Sequence, residues 1–228
     1  TGDEVVDMLG KAVWLHSSGG QEETIIDGEG VRRGILCLSG ETSKTIIEGF
    51  TITNGYVLNN SGGGMMNIKS SPTVTDCTFL NNEASGTLGF GSGGGMYNFW
   101  AYTTVTNCIF TNNTAGYRGG GMWNGHSSPT LTNCTFTANT VDEDGGGMWN
   151  GWSNTTLTSC TFTNNTANDT GGGMVNEANS NATLTDCTFT GNTAFEGGGM
   201  YNWDNSNPTL ENCTFTNNTA DIGGGMYN

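Results

Sequence analysis

The sequence predicts an all-β fold, a parallel solenoid of about 26 residues per turn and about eight turns, on three observations. First, the block Gly-Gly-Gly-Met recurs with its methionine at Met65, Met96, Met122, Met148, Met174, Met200 and Met226, at spacings of 31 and then 26 five times. Second, Cys-x-Phe-x-x-Asn recurs from Cys77, Cys108, Cys134, Cys160, Cys187 and Cys213 at spacings of 31, 26, 26, 27 and 26. Third, Gly, Thr and Asn supply 103 of 228 residues and hydrophobic residues only 34%, against roughly 45–50% in an average globular domain, so the core must be thin and linear. The aromatic share of 10% and the abundant β-branched Thr argue against disorder.

Taken in order, residues 1–61 read as irregular, larger opening turns. Thr24-Ile25-Ile26-Asp27-Gly28 and Thr45-Ile46-Ile47-Glu48-Gly49 are apolar strand runs about 21 residues apart, and Phe50-Thr51-Ile52-Thr53-Asn54 foreshadows the later Phe-Thr block. Residues 62–228 are the regular repeats of the same single domain. Within one of them, Ser128-Pro129-Thr130-Leu131-Thr132-Asn133-Cys134-Thr135-Phe136-Thr137 alternates on both sides of Asn133, which predicts two short strands joined by a bend. Gly119-Gly120-Gly121-Met122-Trp123-Asn124 predicts a third. The longer first spacing is taken up by an insertion over Ser85–Ser92, and the extra residue near Asn179–Asn181 by another loop.

In such a stack each repeated position becomes a column. The columns of Leu or Val (Val74 to Leu210), Cys, Phe and Met are expected to face inward, and the Thr columns (Thr73 to Thr209, Thr111 to Thr216) outward. Thr suits any exposed β surface, and a flat Thr face is also the kind that templates ice. Two Asn columns are expected to follow strands and form hydrogen-bonded ladders: Asn82, Asn113, Asn139, Asn165, Asn192 and Asn218, then Asn67, Asn98, Asn124, Asn150, Asn176, Asn202 and Asn228. The cysteines Cys77, Cys108, Cys134, Cys160, Cys187 and Cys213 match no zinc spacing, and a buried thiol ladder is preferred over vertical disulfides; Cys37 stands apart.

For function, six Lys and Arg against 21 Asp and Glu give a charge of −15, which repels phosphate backbones and excludes nucleic acid as a partner. No apolar run approaches the roughly 20 residues that span a bilayer, so no membrane insertion is expected. The opening Thr1-Gly2-Asp3-Glu4 carries no Met or leader and reads as a mature or excised piece. The position after each Met (Met66, Tyr97, Trp123, Trp149, Val175, Tyr201, Tyr227) should face out, making Tyr97, Trp123, Trp149, Tyr201 and Tyr227 a candidate contact stripe for glycan rings, with plain stacking between turns as the alternative.

Acidic residues Asp142, Glu143, Asp144, Asp169, Glu196 and Asp221 precede the Gly blocks. Calcium there is a weak expectation, and otherwise no metal or cofactor is predicted. Asp76 and Asp186 share a slot with Asn107, Asn133, Ser159 and Asn212, the signature of a hydrogen-bonding bend. Beyond Lys69 the only basic side chain is Arg118 and the only imidazole His126, so no catalytic set is predicted and the chain reads as a non-enzyme. Asn154 and Asn168, in sequons, are possible glycosylation sites.

The repeats Gly-Gly-Gly-Met-Tyr-Asn and Ser-Pro-Thr-Leu-Thr-Asn-Cys-Thr-Phe-Thr resemble those of the right-handed parallel β-helix repeat proteins of bacterial cell surfaces, with pectin-lyase-like architecture. They are also similar to the Phe-x-x-Asn and Gly-Gly-Ala-Ile repeats of polymorphic outer-membrane adhesins. The resemblance implies an extracellular or cell-surface rod, structural or adhesive. The chain stops in mid-repeat at Gly223-Gly224-Gly225-Met226-Tyr227-Asn228, which points to a filament subunit or segment joined end to end by β stacking. The alternative is a carbohydrate-binding surface adhesin, and the third reading a polysaccharide lyase or hydrolase.

Overall fold

A computed structural model describes residues 3–87 and 89–228; Thr1, Gly2 and Leu88, the last inside the predicted insertion, lie outside it. The chain winds as a parallel β-solenoid of about nine turns, of which eight are complete and the ninth is begun by Met226–Tyr227. Four parallel sheets run along the rod, where three were expected. Sheet I has nine strands, from Glu4–Asp7 to Met226–Tyr227; sheet II has eight, from Trp14–His16 to Thr209–Glu211; sheet III has eight, from Ile25–Asp27 to Thr214–Thr216. Sheet IV, five strands from Tyr56–Leu58 to Thr166–Ala167, escaped the sequence reading because most of its regular strands are two residues long.

One turn shows the rule. Met122–Gly125 lies in sheet I, Thr130–Thr132 in sheet II, Thr135–Thr137 in sheet III and Thr140–Val141 in sheet IV, and Met148 then starts the next turn. Register is residue on residue: Met122 pairs with Met148, Leu131 with Leu157 and Phe136 with Phe162. The two opening Ile runs are not equivalent to each other. Ile26 aligns with Ile52 and Phe79 in sheet III, whereas Ile47 aligns with Leu15 and Val74 in sheet II. Ile52 thus takes the Phe column, where the Phe-Thr match had placed Phe50; Phe50 falls two residues earlier, at the Cys77 position. One hydrophobic cluster runs from Met8 to Met200 across the 61/62 boundary.

The inward columns are buried up to the last turn, where Leu210, Cys213, Phe215 and Met226 are partly exposed, and the Phe rings stack at 4.7 Å from Phe79 to Phe215. Ala115, Val141, Ala167 and Ala194 form a small separate cluster under sheet IV. The bend between sheets II and III is left-handed: Asp76, Asn107, Asn133, Ser159, Asp186 and Asn212 all have φ of 51 to 55°. Short polar side chains tolerate that conformation, which explains the Asp/Asn/Ser exchange. Asn107 Nδ2 donates to Asp76 Oδ1 at 3.0 Å, so the slot is a hydrogen-bonding bend.

Both Asn columns are ladders, with two corrections to their setting. Asn67, Asn98, Asn124, Asn150, Asn176 and Asn202 lie within the sheet I strands rather than after them. In the other column it is the preceding residue (Asn81, Asn112, Ala138, Asn164, Gly191, Asn217) that is left-handed, not the ladder Asn. Every Nδ2 donates to the Oδ1 of the next turn, for example Asn124 to Asn150 at 2.9 Å and Asn139 to Asn165 at 2.9 Å. A third ladder went unread: Ala101, Ser127, Ser153 and Ser180 each donate a backbone N–H to the next Ser Oγ, at 2.9 to 3.0 Å.

All seven cysteines are free thiols; six are buried and Cys213 is half-buried. Burial pushes the Cys77 thiol up to about 11, and the neighbouring Cys160 thiol, then burial, raise Cys187. Thiolate is the reactive form, so a thiol-specific maleimide at neutral pH is expected to label only Cys213 in the native 228-residue chain and all seven cysteines once it is unfolded. Rapid native labelling of Cys108 or Cys134 would contradict this packing.

Candidate binding face

The outer side of sheet I gathers the aromatic residues in two columns. In the first, the predicted stripe, Tyr97 stacks on Trp123 at 4.4 Å, Trp123 on Trp149 at 5.2 Å, and Tyr201 on Tyr227 at 5.1 Å. The Trp rings fold flat along their own strands, so that a methyl group on Gly125 would collide with Trp123 and one on Gly151 with Trp149. This explains why Trp-Asn-Gly replaces the Tyr-Asn-Phe, Val-Asn-Glu and Tyr-Asn-Trp of other turns.

The stripe does not face solvent as alternation predicts. Trp149 is only 2% exposed, and Tyr97, Trp123, Tyr201 and Tyr227 are half-buried. The cause is Arg118. Its guanidinium lies 4.8 Å from the Trp149 ring centroid, donates through Nε to Asp144 Oδ2 at 3.0 Å, and pairs with Glu177 at 3.3 Å. Trp123 already covers one face of Trp149, so the cation covers the other, at the level where Val175 supplies no ring. With both ring faces covered, Trp123 and Trp149 offer a ligand only edges, and stacking between turns accounts for them.

Arg118 is also what holds the acidic loops together. Beside Val175 a shallow hollow of about 160 Å³ opens between Arg118, Asp169, Glu177 and Tyr201. Burial and then the Asp144 charge raise Glu143 and Asp169 above the usual carboxylate range, while Arg118 pulls both down. A raised carboxylate takes up its proton more readily in the folded than in the unfolded state, so both groups cost stability at neutral pH, and the cost is relieved as pH falls through their folded values. Removing Arg118 should deepen the cost. Arg118→Met is expected to lose about 2 kcal/mol at pH 7, and to lose less near pH 5, about where carboxylates begin to protonate; the comparison is of melting temperatures at the two pH values. Among the described residues no group of three or more His, Cys, Asp or Glu is placed to hold a metal ion.

The second column was missed. Trp100, His126 and Trp152 stack at 4.8 Å per step, nearly parallel at 5° and 11°, and the two Trp residues stand 47% and 58% exposed. All three are left-handed, with φ of 52, 50 and 52°. A bulky residue there carries strain of about 1–3 kcal/mol. Only three turns carry a ring at this position; Lys69, Ala178 and Asp204 hold it elsewhere, so no full-length column announced it. Asn154 and Asn168 are exposed, and Asn154 Oδ1 accepts the N–H of Asn181 at 2.8 Å. At the predicted assembly end Gly223 is left-handed, Met226–Tyr227 pairs with Met200 and Tyr201, and Asn228 Oδ1 accepts from Asn202, while Gly225 and Asn228 are exposed.

A family model described as the right handed beta helix region matches residues 7–158 and 95–227. Neither the comparison with curated proteins nor that with solved structures gives a match. The matched residues span nearly the whole chain and the four-sheet winding agrees with them: the chain belongs to the right-handed β-helix family.

Proposed function

We propose that the chain is a structural β-solenoid of a cell surface or extracellular filament, lengthened by end-to-end β stacking. The observation that carries this reading is the single direction of the Asn ladders. In both columns the amide of one turn donates to the oxygen of the following turn, without reversal, from Asn67 to Asn228 and from Asn82 to Asn218. A further turn of the same repeat beyond Met226–Tyr227 continues both ladders only if it arrives in the same orientation; the opening turns of this chain hold Cys37 at the Asn67 position and Gly55 at the Asn82 position, so a second copy joins by backbone pairing and not through an Asn oxygen. Such a contact is heterologous and propagates rather than closing. The Leu210, Phe215 and Met226 columns, half-exposed at that edge, supply the apolar part of the contact.

The test is sedimentation of the purified 228-residue chain over a concentration series, with electron microscopy of the same samples. Concentration-dependent rods with an axial repeat of about 4.8 Å are expected; monodisperse short rods at every concentration would sink the reading. A second reading, a carbohydrate-binding adhesin, is favoured by one observation, the column of exposed Trp100 and Trp152 on either side of a half-buried His126.

A further inference from the structure

We propose that a neutral pyranose chain is held at the upper end of this column, stacked on the open face of Trp152; the proposal rests on the carbohydrate-binding reading and names its site and ligand class. The column ends there for a reason visible in the backbone. One residue, Trp152, joins Gly151 to Ser153, whereas two, Ala178 and Asn179, join Glu177 to Ser180 in the next turn. Both of these are left-handed, and the lengthened bend carries a methyl group where the column would place its next ring. Trp152 is therefore the last ring of the stack, with its far face on a step rather than under another aromatic side chain.

Three features make that step suit a sugar. The fold does not need rings in this column, since the same left-handed bend is made by Lys69, Ala178 and Asp204, yet strained positions here carry Trp, His and Trp. Backbone strain of this kind collects at binding sites. Carboxamides flank the column: Asn154 and Asn181 are exposed and each accepts a backbone N–H through Oδ1, from Asn181 and Asn207 respectively at 2.8 Å, which leaves the Asn154 NH2 group to donate to a hydroxyl. An indole face for C–H groups beside amide donors is the pairing a pyranose requires. The charge of −15 disfavours uronate or sulfated polymers, and a column one ring wide is too narrow to anchor a protein partner, which needs about 800 Å² on each side.

The experiment titrates the 228-residue chain with cellohexaose and chitohexaose, and with polygalacturonate as the anionic control, reading tryptophan fluorescence and calorimetric heat. At least one neutral hexaose is expected to bind and polygalacturonate is not. Trp152→Ala, an exposed change checked for folding by circular dichroism, is expected to weaken binding at least tenfold, while Trp203→Ala, on an exposed ring outside the column, leaves it within twofold. Trp152→Asn, which suits the left-handed bend, serves as a second variant that keeps the fold and should lose binding equally. Binding that survives both Trp152 variants overturns the proposed site while leaving a carbohydrate-binding surface in place. No binding by either neutral hexaose overturns the site and that reading together.

Discussion

Gly120→Ala is expected to cost more than about 3 kcal/mol, the upper range for overpacking a closed core. A Cβ at Gly120 would lie 2.6 Å from the carbonyl oxygen of Gly146 and closer still to that of Thr140. Neither can retreat. The Gly146 carbonyl accepts the Gly121 N–H at 3.1 Å, and Thr140 opens a sheet IV strand paired with Thr114–Ala115. The middle glycine of each Gly-Gly-Gly block from Gly63 to Gly198 thus marks where the chain crosses directly beneath its own next turn. Gly20 is the control: it is left-handed at φ 80°, but nothing lies within 4 Å of its Cβ position, so Gly20→Ala carries only the conformational cost of about 1–2 kcal/mol. Urea unfolding of the two variants measures the difference; equal midpoints would show that space at Gly120 is not the constraint.

A second large effect is expected at Asn139, whose side chain makes four hydrogen bonds in a buried setting. Nδ2 donates to Phe110 O and to Asn165 Oδ1, each at 2.9 Å, and Oδ1 accepts the backbone N–H and the Nδ2 of Asn113 at 3.0 and 2.9 Å. Asn139→Asp keeps the shape and the acceptor but turns a second oxygen toward two others. Leaving groups unpaired at about 1–3 kcal/mol each, with a buried charge added, places the loss on the order of 4 kcal/mol. Asn133→Asp, six residues earlier, should change stability by no more than about 0.5 kcal/mol, because that position is an exposed bend where Asp76 and Asp186 already stand. Thermal melts of the two variants decide the matter. If they shift alike, the ladder is not what fixes Asn139.

The contrast between these two asparagines also shows what was legible in the sequence. The 26-residue period placed the Leu, Cys, Phe and Met columns inward because in-register stacking repeats each environment, and all four are buried up to the last turn. The two opening Ile runs, 21 residues apart, fall outside that period and lie in different sheets: Ile25 aligns with Thr51, 26 residues on, and Ile46 with Trp14. Alternation failed at Trp149, since it describes a strand and its neighbours, whereas Arg118 reaches across from the turn of Trp123 to Glu177, two turns on. The Trp100–His126–Trp152 column stayed hidden because its left-handed bend lacks the glycine or asparagine that usually signals one. Sheet IV was too short to alternate.

The one-way ladders have a further consequence, for heredity rather than for assembly. Each turn offers the one before it the same acceptors, an Asn oxygen in two columns and a Ser oxygen in a third, in unchanged register. Recombination between the near-identical repeats that removes or duplicates one whole 26-residue unit would leave every ladder joined, changing the rod by one step of about 4.8 Å. A slip of a single residue would instead turn the Phe and Leu columns to solvent. Copy number is thus a trait this architecture leaves free to vary, while the reading of each copy is held fixed.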